Sequence, residues 1–166
     1  MFKSGDIVVQ DRTMMNNLNY KDNKETRLSV VLFETEIDGE IFVCTAPLTN
    51  NPKAALKYQD SYYYIPYLMY DERKYSCIKL NSANIYNLNI VHSTGIYLGR
   101  EHMNRIFSKL MDYPEPKNRE DLYKLIRENI SSVKEKTKIL DAEEKRKQKQ
   151  IRLEKRRNAK RGVNLA

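Results

Sequence analysis

The chain is poor in the residues that most often carry chemistry. It has two cysteines, Cys44 and Cys77. They show neither metal-ligand nor redox spacing, and each sits inside an apolar run, so they read as buried free thiols. Histidine is equally scarce, with His92 and His102 alone. Neither has a second histidine near it, which argues against a metal centre or a histidine general base, and His102 is expected on an exposed helix face. No apolar run approaches the roughly 18 residues of a membrane-spanning helix. The opening Met1-Phe2-Lys3-Ser4-Gly5-Asp6 has no apolar signal region. The expectation is a cytoplasmic protein with no membrane partner. There is no internal repeat. Apolar residues make up 40% of the chain and charged residues 31%, which is too polar a balance for a chain that is globular throughout.

Charge divides the chain in two. Residues 1–116 hold 13 basic and 14 acidic side chains, a net −1, whereas residues 117–166 hold 17 basic and 8 acidic, a net +9. Attraction to a polyanion can therefore be argued from charge for the second stretch only. The first stretch is long enough to bury its own core.

Hydrophobic patterning separates the same two regions. Ile7–Val9, Ser29–Phe33, Ile41–Thr45 and Tyr75–Leu80 are short β-type runs, and Asp38-Gly39 between the second and third is a two-residue hairpin signal. Tyr62–Tyr70 is aromatic and interrupted by Pro66, the mark of an edge strand. Its tyrosines fit either base stacking or an alternation of core and surface. Residues 11–26 and 48–60 read as loops. Glu34 and Glu36 alternate with apolar residues and are expected on a solvated strand face. Met103, Ile106, Phe107, Leu110 and Met111 then fall on one face of a helix over about 100–113, closed by Pro114 and Pro116. The expected domains are thus a β-rich 1–113 and a mostly helical, basic 117–166. In the latter, Leu122, Leu125, Ile126, Ile130 and Val133 offer an apolar face. Residues 141–161 depend on helix propensity and i,i+4 charge pairs.

The Asp38-Gly39 hairpin makes paired residue numbers sum to 77, setting Arg27 opposite Asn50 and Leu28 opposite Thr49. A strict ladder sends the side chains of Arg27 and Thr49 to opposite faces. A bulge at Pro47, which lacks an N–H, brings them to the same one. A guanidinium and a hydroxyl so placed suit a phosphate: the fork binds two oxygens and the hydroxyl donates a third bond.

Several segments in order resemble the MazF/PemK toxin family. Lys3-Ser4-Gly5-Asp6-Ile7-Val8 is similar to its opening strand. Arg27-Leu28-Ser29-Val30-Val31-Leu32 resembles its Arg-Pro-x-Val-Val-Leu strand, and Ala46-Pro47-Leu48-Thr49-Asn50 its Ala-Pro-Ile-Thr-Ser segment. Ser76-Cys77-Ile78-Lys79-Leu80 stands where the family has a strand just before its Asp-Gln-Ile, and Gly95-Ile96-Tyr97-Leu98-Gly99, with the amphipathic helix after it, resembles the family's Gly-x-Leu-Ser entry into its last helix. The likeness spans residues 2–112. Leu28 stands in place of the family proline, residues 11–26 lack its Gly-Ser-Glu pattern, and Asn81-Ser82-Ala83-Asn84 replaces its Asp-Gln-Ile. The resemblance implies a mainly β fold with α, an SH3-like small β-barrel, here followed by a C-terminal helical extension.

It also implies a function: a sequence-preferring endoribonuclease toxin, usually a homodimer, silenced by a cognate antitoxin protein. The reaction needs no metal and no cofactor. The 2′-hydroxyl attacks the adjacent phosphate of a single-stranded, mRNA-like RNA, leaving 2′,3′-cyclic phosphate and 5′-hydroxyl ends. Arg27 and Thr49 are then the catalytic pair, with Arg12, Lys24, Asn50, Asn51 and Lys53 as RNA contacts. The rival expectation is a non-catalytic module of the same fold. In that reading the basic tail, through Lys145, Arg146, Lys147, Arg156 and Arg157, holds nucleic acid or a protein partner.

Overall fold

Asp38 and Gly39 both take positive φ, 52° and 81°, the backbone of a two-residue hairpin turn whose twist matches that of its strands. On it close β2 (Thr26–Ile37) and β3 (Glu40–Thr49), with Ile37 facing Glu40. The computed structural model describes residues 1–11, 26–50, 53, 57 and 59–163. The polar stretch at 12–25 lies outside them. The chain forms two compact units, Met1–Ile130 and Ser131–Ala166.

The first unit is mixed β/α. Its remaining strands are β1 (Asp6–Asp11), β4 (Tyr62–Tyr70), β5 (Arg73–Lys79), β6 (Asn84–Asn87) and β7 (Val91–Tyr97). All pairings are antiparallel, in the order β4-β5-β3-β2-β1-β7, with β6 added on β3. Strand β3 curls the sheet into a half-barrel by changing partners along its length. Phe42–Thr45 pair with β6, whereas Leu48 and Thr49 pair with Ile78 and Cys77 of β5. As Pro66 implies, β4 lies at the edge, and its register on β5 shifts between Tyr64 and Leu68. The β4–β5 turn uses Asp71 and Glu72, both at positive φ, without the glycine that would have announced it.

Both faces of the sheet are covered. On one, Val8, Val31, Val43 and Val91 form a cluster joined by Phe2, Tyr86, Leu88 and Ile90. The helices supply the other apolar layer. Helix α1 (Arg100–Asp112) buries Met103, Ile106, Phe107 and Leu110, the stripe that its periodicity requires. Lys109 Nζ donates to the Tyr62 carbonyl at 2.7 Å, and Tyr63 shares a hydrogen bond with His102 Nδ1 at 3.0 Å. His102 is therefore half-buried and engaged, contrary to its expected exposure. Helix α2 (Glu120–Val163) begins in this unit. Its buried face is Tyr123, Ile126 and Ile130, while Leu122 and Leu125 are half-buried. The Tyr123 hydroxyl donates to the Leu80 carbonyl, and Arg119 donates to the carbonyls of Asn81 and Ala83. These bonds fix the 3-10 turn Leu80–Ser82.

Cys44 and Cys77 are free and buried. Burial pushes both thiols above the ordinary range, so they stay protonated and unreactive near neutrality.

In the second unit α2 continues from Ser131. No described side chain there is fully buried, and Ile139, Leu140, Ile151 and Leu153 are exposed. This stretch is helical through its Ala, Glu, Lys, Arg and Gln content rather than through a core. Among the described residues no helix is long and apolar enough to cross a membrane.

Candidate functional site

The site is set by one extra residue in β2. Next to the turn, paired numbers sum to 77, through Phe33↔Cys44. Beyond it they sum to 76, from Val31↔Thr45 to Ser29↔Pro47. Leu32 is the residue left over, a β-bulge. The irregularity thus falls on β2, and Pro47 sits within the ladder rather than breaking it. The N-terminal segment supports the bulge. Ser4 Oγ donates to the Leu32 carbonyl at 2.6 Å, and the Gly5 N–H donates to the Val31 carbonyl at 2.9 Å. The Phe2 N–H reaches the Glu34 carboxylate, so Glu34 anchors the chain start instead of facing solvent alone. Gly5 has φ of 96°, and a Cβ there would lie 2.6 Å from the Leu98 carbonyl oxygen. Only glycine fits.

Continued past Ser29↔Pro47, the shifted register brings Arg27 level with Thr49, on one face of the sheet. Strand alternation puts Arg27, Ser29 and Val31 on that face of β2, Thr45 and Thr49 on that face of β3, and Val8 and Gln10 on that face of β1. The observed pairs Gln10↔Arg27, Val8↔Ser29 and Val31↔Thr45 agree. Arg27 and Thr49 are half-buried. At Thr49 the backbone carbonyl accepts from the Cys77 thiol at 3.6 Å, tying the end of β3 to β5.

Between the valine cluster and this pair lie three buried polar side chains that no motif signalled: Gln10 at 1% exposure, Ser29 at 0% and Thr45 at 1%. They satisfy one another. Gln10 Nε2 donates to Thr45 Oγ1, and Ser29 Oγ donates to Gln10 Oε1 at 3.1 Å. Among the described residues no buried side-chain nitrogen or oxygen lacks a partner. Such a network crosses β1, β2 and β3 beside Arg27, which pairs with Gln10. It costs desolvation that an apolar trio would not, and what it provides is a fixed relative position of the three strands. The sequence signal was present but faint: a polar residue at an inward position of an otherwise apolar strand.

Of the other expected RNA contacts, Asn50 and Lys53 are exposed, and Arg12, Lys24 and Asn51 lie outside the described residues. Strands β1 and β3 end, and β2 begins, at the edge of the sheet where Arg27 and Thr49 sit. Tyr62 is buried, Tyr63 half-buried and Tyr64 exposed. In the second unit Lys145, Arg146, Lys147, Arg156 and Arg157 are all exposed.

No family model, curated protein or solved structure matches the chain.

Proposed function

We propose that the first unit is an SH3-like barrel of the MazF/PemK kind, and that the chain is a sequence-preferring endoribonuclease toxin. It acts as a cytoplasmic homodimer and is silenced by a cognate antitoxin. One observation carries this reading: the Leu32 bulge shifts the β2–β3 register by one residue, and that register, continued past Ser29↔Pro47, sets Arg27 level with Thr49 beside a buried polar network. The 2′-hydroxyl of the substrate gives its proton to water and attacks the adjacent phosphorus, the bond to the 5′-oxygen breaks, that oxygen takes a proton from water to leave as a hydroxyl, and a 2′,3′-cyclic phosphate remains. Negative charge gathers on the phosphorane oxygens. Arg27 neutralises it through its fork, and Thr49 adds a hydrogen bond. A guanidinium offers donors and no acceptor, so the role of Arg27 is electrostatic rather than that of a proton carrier. No metal or cofactor enters the reaction.

The test is incubation of the purified protein with a defined RNA in EDTA, followed by analysis of the product ends. Cyclic phosphate and 5′-hydroxyl termini are expected. Arg27→Ala should lower the rate by about 100-fold or more, the scale for removing one stabilising donor, with unfolding unchanged, and Thr49→Ala should lower it less. Cleavage at wild-type rate by both variants overturns the site. Absence of any cyclic product from the wild type leaves the barrel as a binding module.

A further inference from the structure

Helix α2 beyond Ile130 sorts its charges by face. At 3.6 residues per turn, Lys138, Lys145, Lys149, Arg152, Arg156 and Lys160 fall within an arc of roughly 80°. All six are exposed. They recur at spacings of seven, four, three, four and four residues, a row about 33 Å long at 1.5 Å rise per residue. Glu143, Glu144 and Glu154 point to other faces, and Glu135 and Asp141 lie at the two edges of the arc. The cations Lys136, Arg146, Lys147, Lys155, Arg157 and Arg161 share those other faces with the three glutamates, which offset part of their charge. Solubility alone asks for interspersed signs, not a segregated row. Ile139, Leu140, Ile151 and Leu153 fall within an arc of roughly 160° that they share with Glu143, Lys147, Glu154 and Arg157, too few and too interrupted for the apolar face that a membrane surface requires.

We propose that this row is a binding site for the phosphate backbone of RNA. A cation roughly every turn matches a linear array of negative charge, and Lys and Arg contacts to phosphate give grip without reading sequence. The row would hold RNA whether or not the barrel cuts it, so the inference stands apart from the proposed cleavage.

The test uses the full chain and a 2′-O-methyl RNA oligonucleotide long enough to span the row. That probe has no 2′-hydroxyl to attack, so cleavage cannot affect the measurement. Affinity is followed by fluorescence anisotropy across a salt titration. Combining Lys149→Gln, Arg152→Gln and Arg156→Gln should flatten the slope of log affinity against log salt by about 2, at about 0.7 per phosphate contact on a single strand. Combining Lys136→Gln, Lys155→Gln and Arg161→Gln removes the same charge from the other faces and should leave the slope unchanged. Circular dichroism checks that both triple variants keep their helix content. Equal losses from the two sets, no loss from either, or tighter binding to anionic vesicles than to the RNA would overturn the proposal.

Discussion

The two units meet the same requirement, ordering a chain, by different means. Met1–Ile130 holds 17 basic and 17 acidic residues and contains every fully buried side chain described. Ser131–Ala166 holds 13 basic and 5 acidic residues and buries none that is described. Helix α2 crosses from one regime to the other without a break. Before the boundary its residues are fixed by apolar burial, and after it by local propensity. Burial constrains every position it touches, whereas propensity constrains few. The positions freed in the second unit are therefore available for charge, and that is where the net +8 resides.

The largest effect that would sharpen this contrast is a pair of equal truncations on one helix. Ile126→Ala removes a fully buried side chain and should cost about 2–5 kcal/mol. Ile151→Ala removes an exposed one and should stay within about 0.5 kcal/mol. Denaturant unfolding measures both, and a comparable loss at Ile151 would mean that the second unit packs a core of its own.

A smaller effect is expected within the first unit, where polarity rather than apolar area is at stake. Gln10→Ala strips Ser29 and Thr45 of their shared partner and should cost about 1–3 kcal/mol, the penalty for buried polar groups left unpaired. It should also lower the cleavage rate more than it weakens RNA binding. A stability change below the range set by unpaired groups would show that the network is dispensable.

The smallest effect concerns the turn that ties α2 to the sheet. Tyr123→Phe removes the hydrogen bond to the Leu80 carbonyl and should cost about 1 kcal/mol. Burial, partly opposed by the Arg119 charge, pushes the Tyr123 phenol up to about 12 from 10.0. The folded chain thus keeps a proton that the unfolded chain has released. That contribution is complete below pH 10 and is lost as pH rises through about 12. Stability measured across this window should fall more steeply for wild type than for Tyr123→Phe, and parallel curves would refute the assignment.

Several features were legible because they follow from local chemistry. Asp38-Gly39 announced its hairpin through the backbone freedom of its residues. Pro66 announced an edge strand because it cannot donate to a ladder. The Met103–Leu110 spacing announced α1, and the uneven charge announced a division of the chain. The Arg27 and Thr49 pair was legible in outline, since a hairpin closed at Asp38-Gly39 must bring those strand ends together. Other features were not. The bulge was expected at Pro47, where a donor is missing, yet it lies at Leu32, where nothing in the residue type predicts it. Tyr123, and not Leu122 or Leu125, is fully buried on α2, where its hydroxyl reaches the Leu80 carbonyl of a segment over 40 residues earlier.

The sequence by itself thus determined the hairpin, helix α1 and the separation of charge, since each depends on residues close together along the chain. Only the tertiary structure decided where the strands slip by one residue. The hydroxyl of Ser4 and the bare backbone of Gly5 reach across to the carbonyls of Leu32 and Val31, and that contact joins segments nearly 30 residues apart. The burial of Gln10, Ser29 and Thr45 was decided in the same way. A polar side chain can enter a core only when its partners on neighbouring strands arrive with it, and their arrival is a property of register.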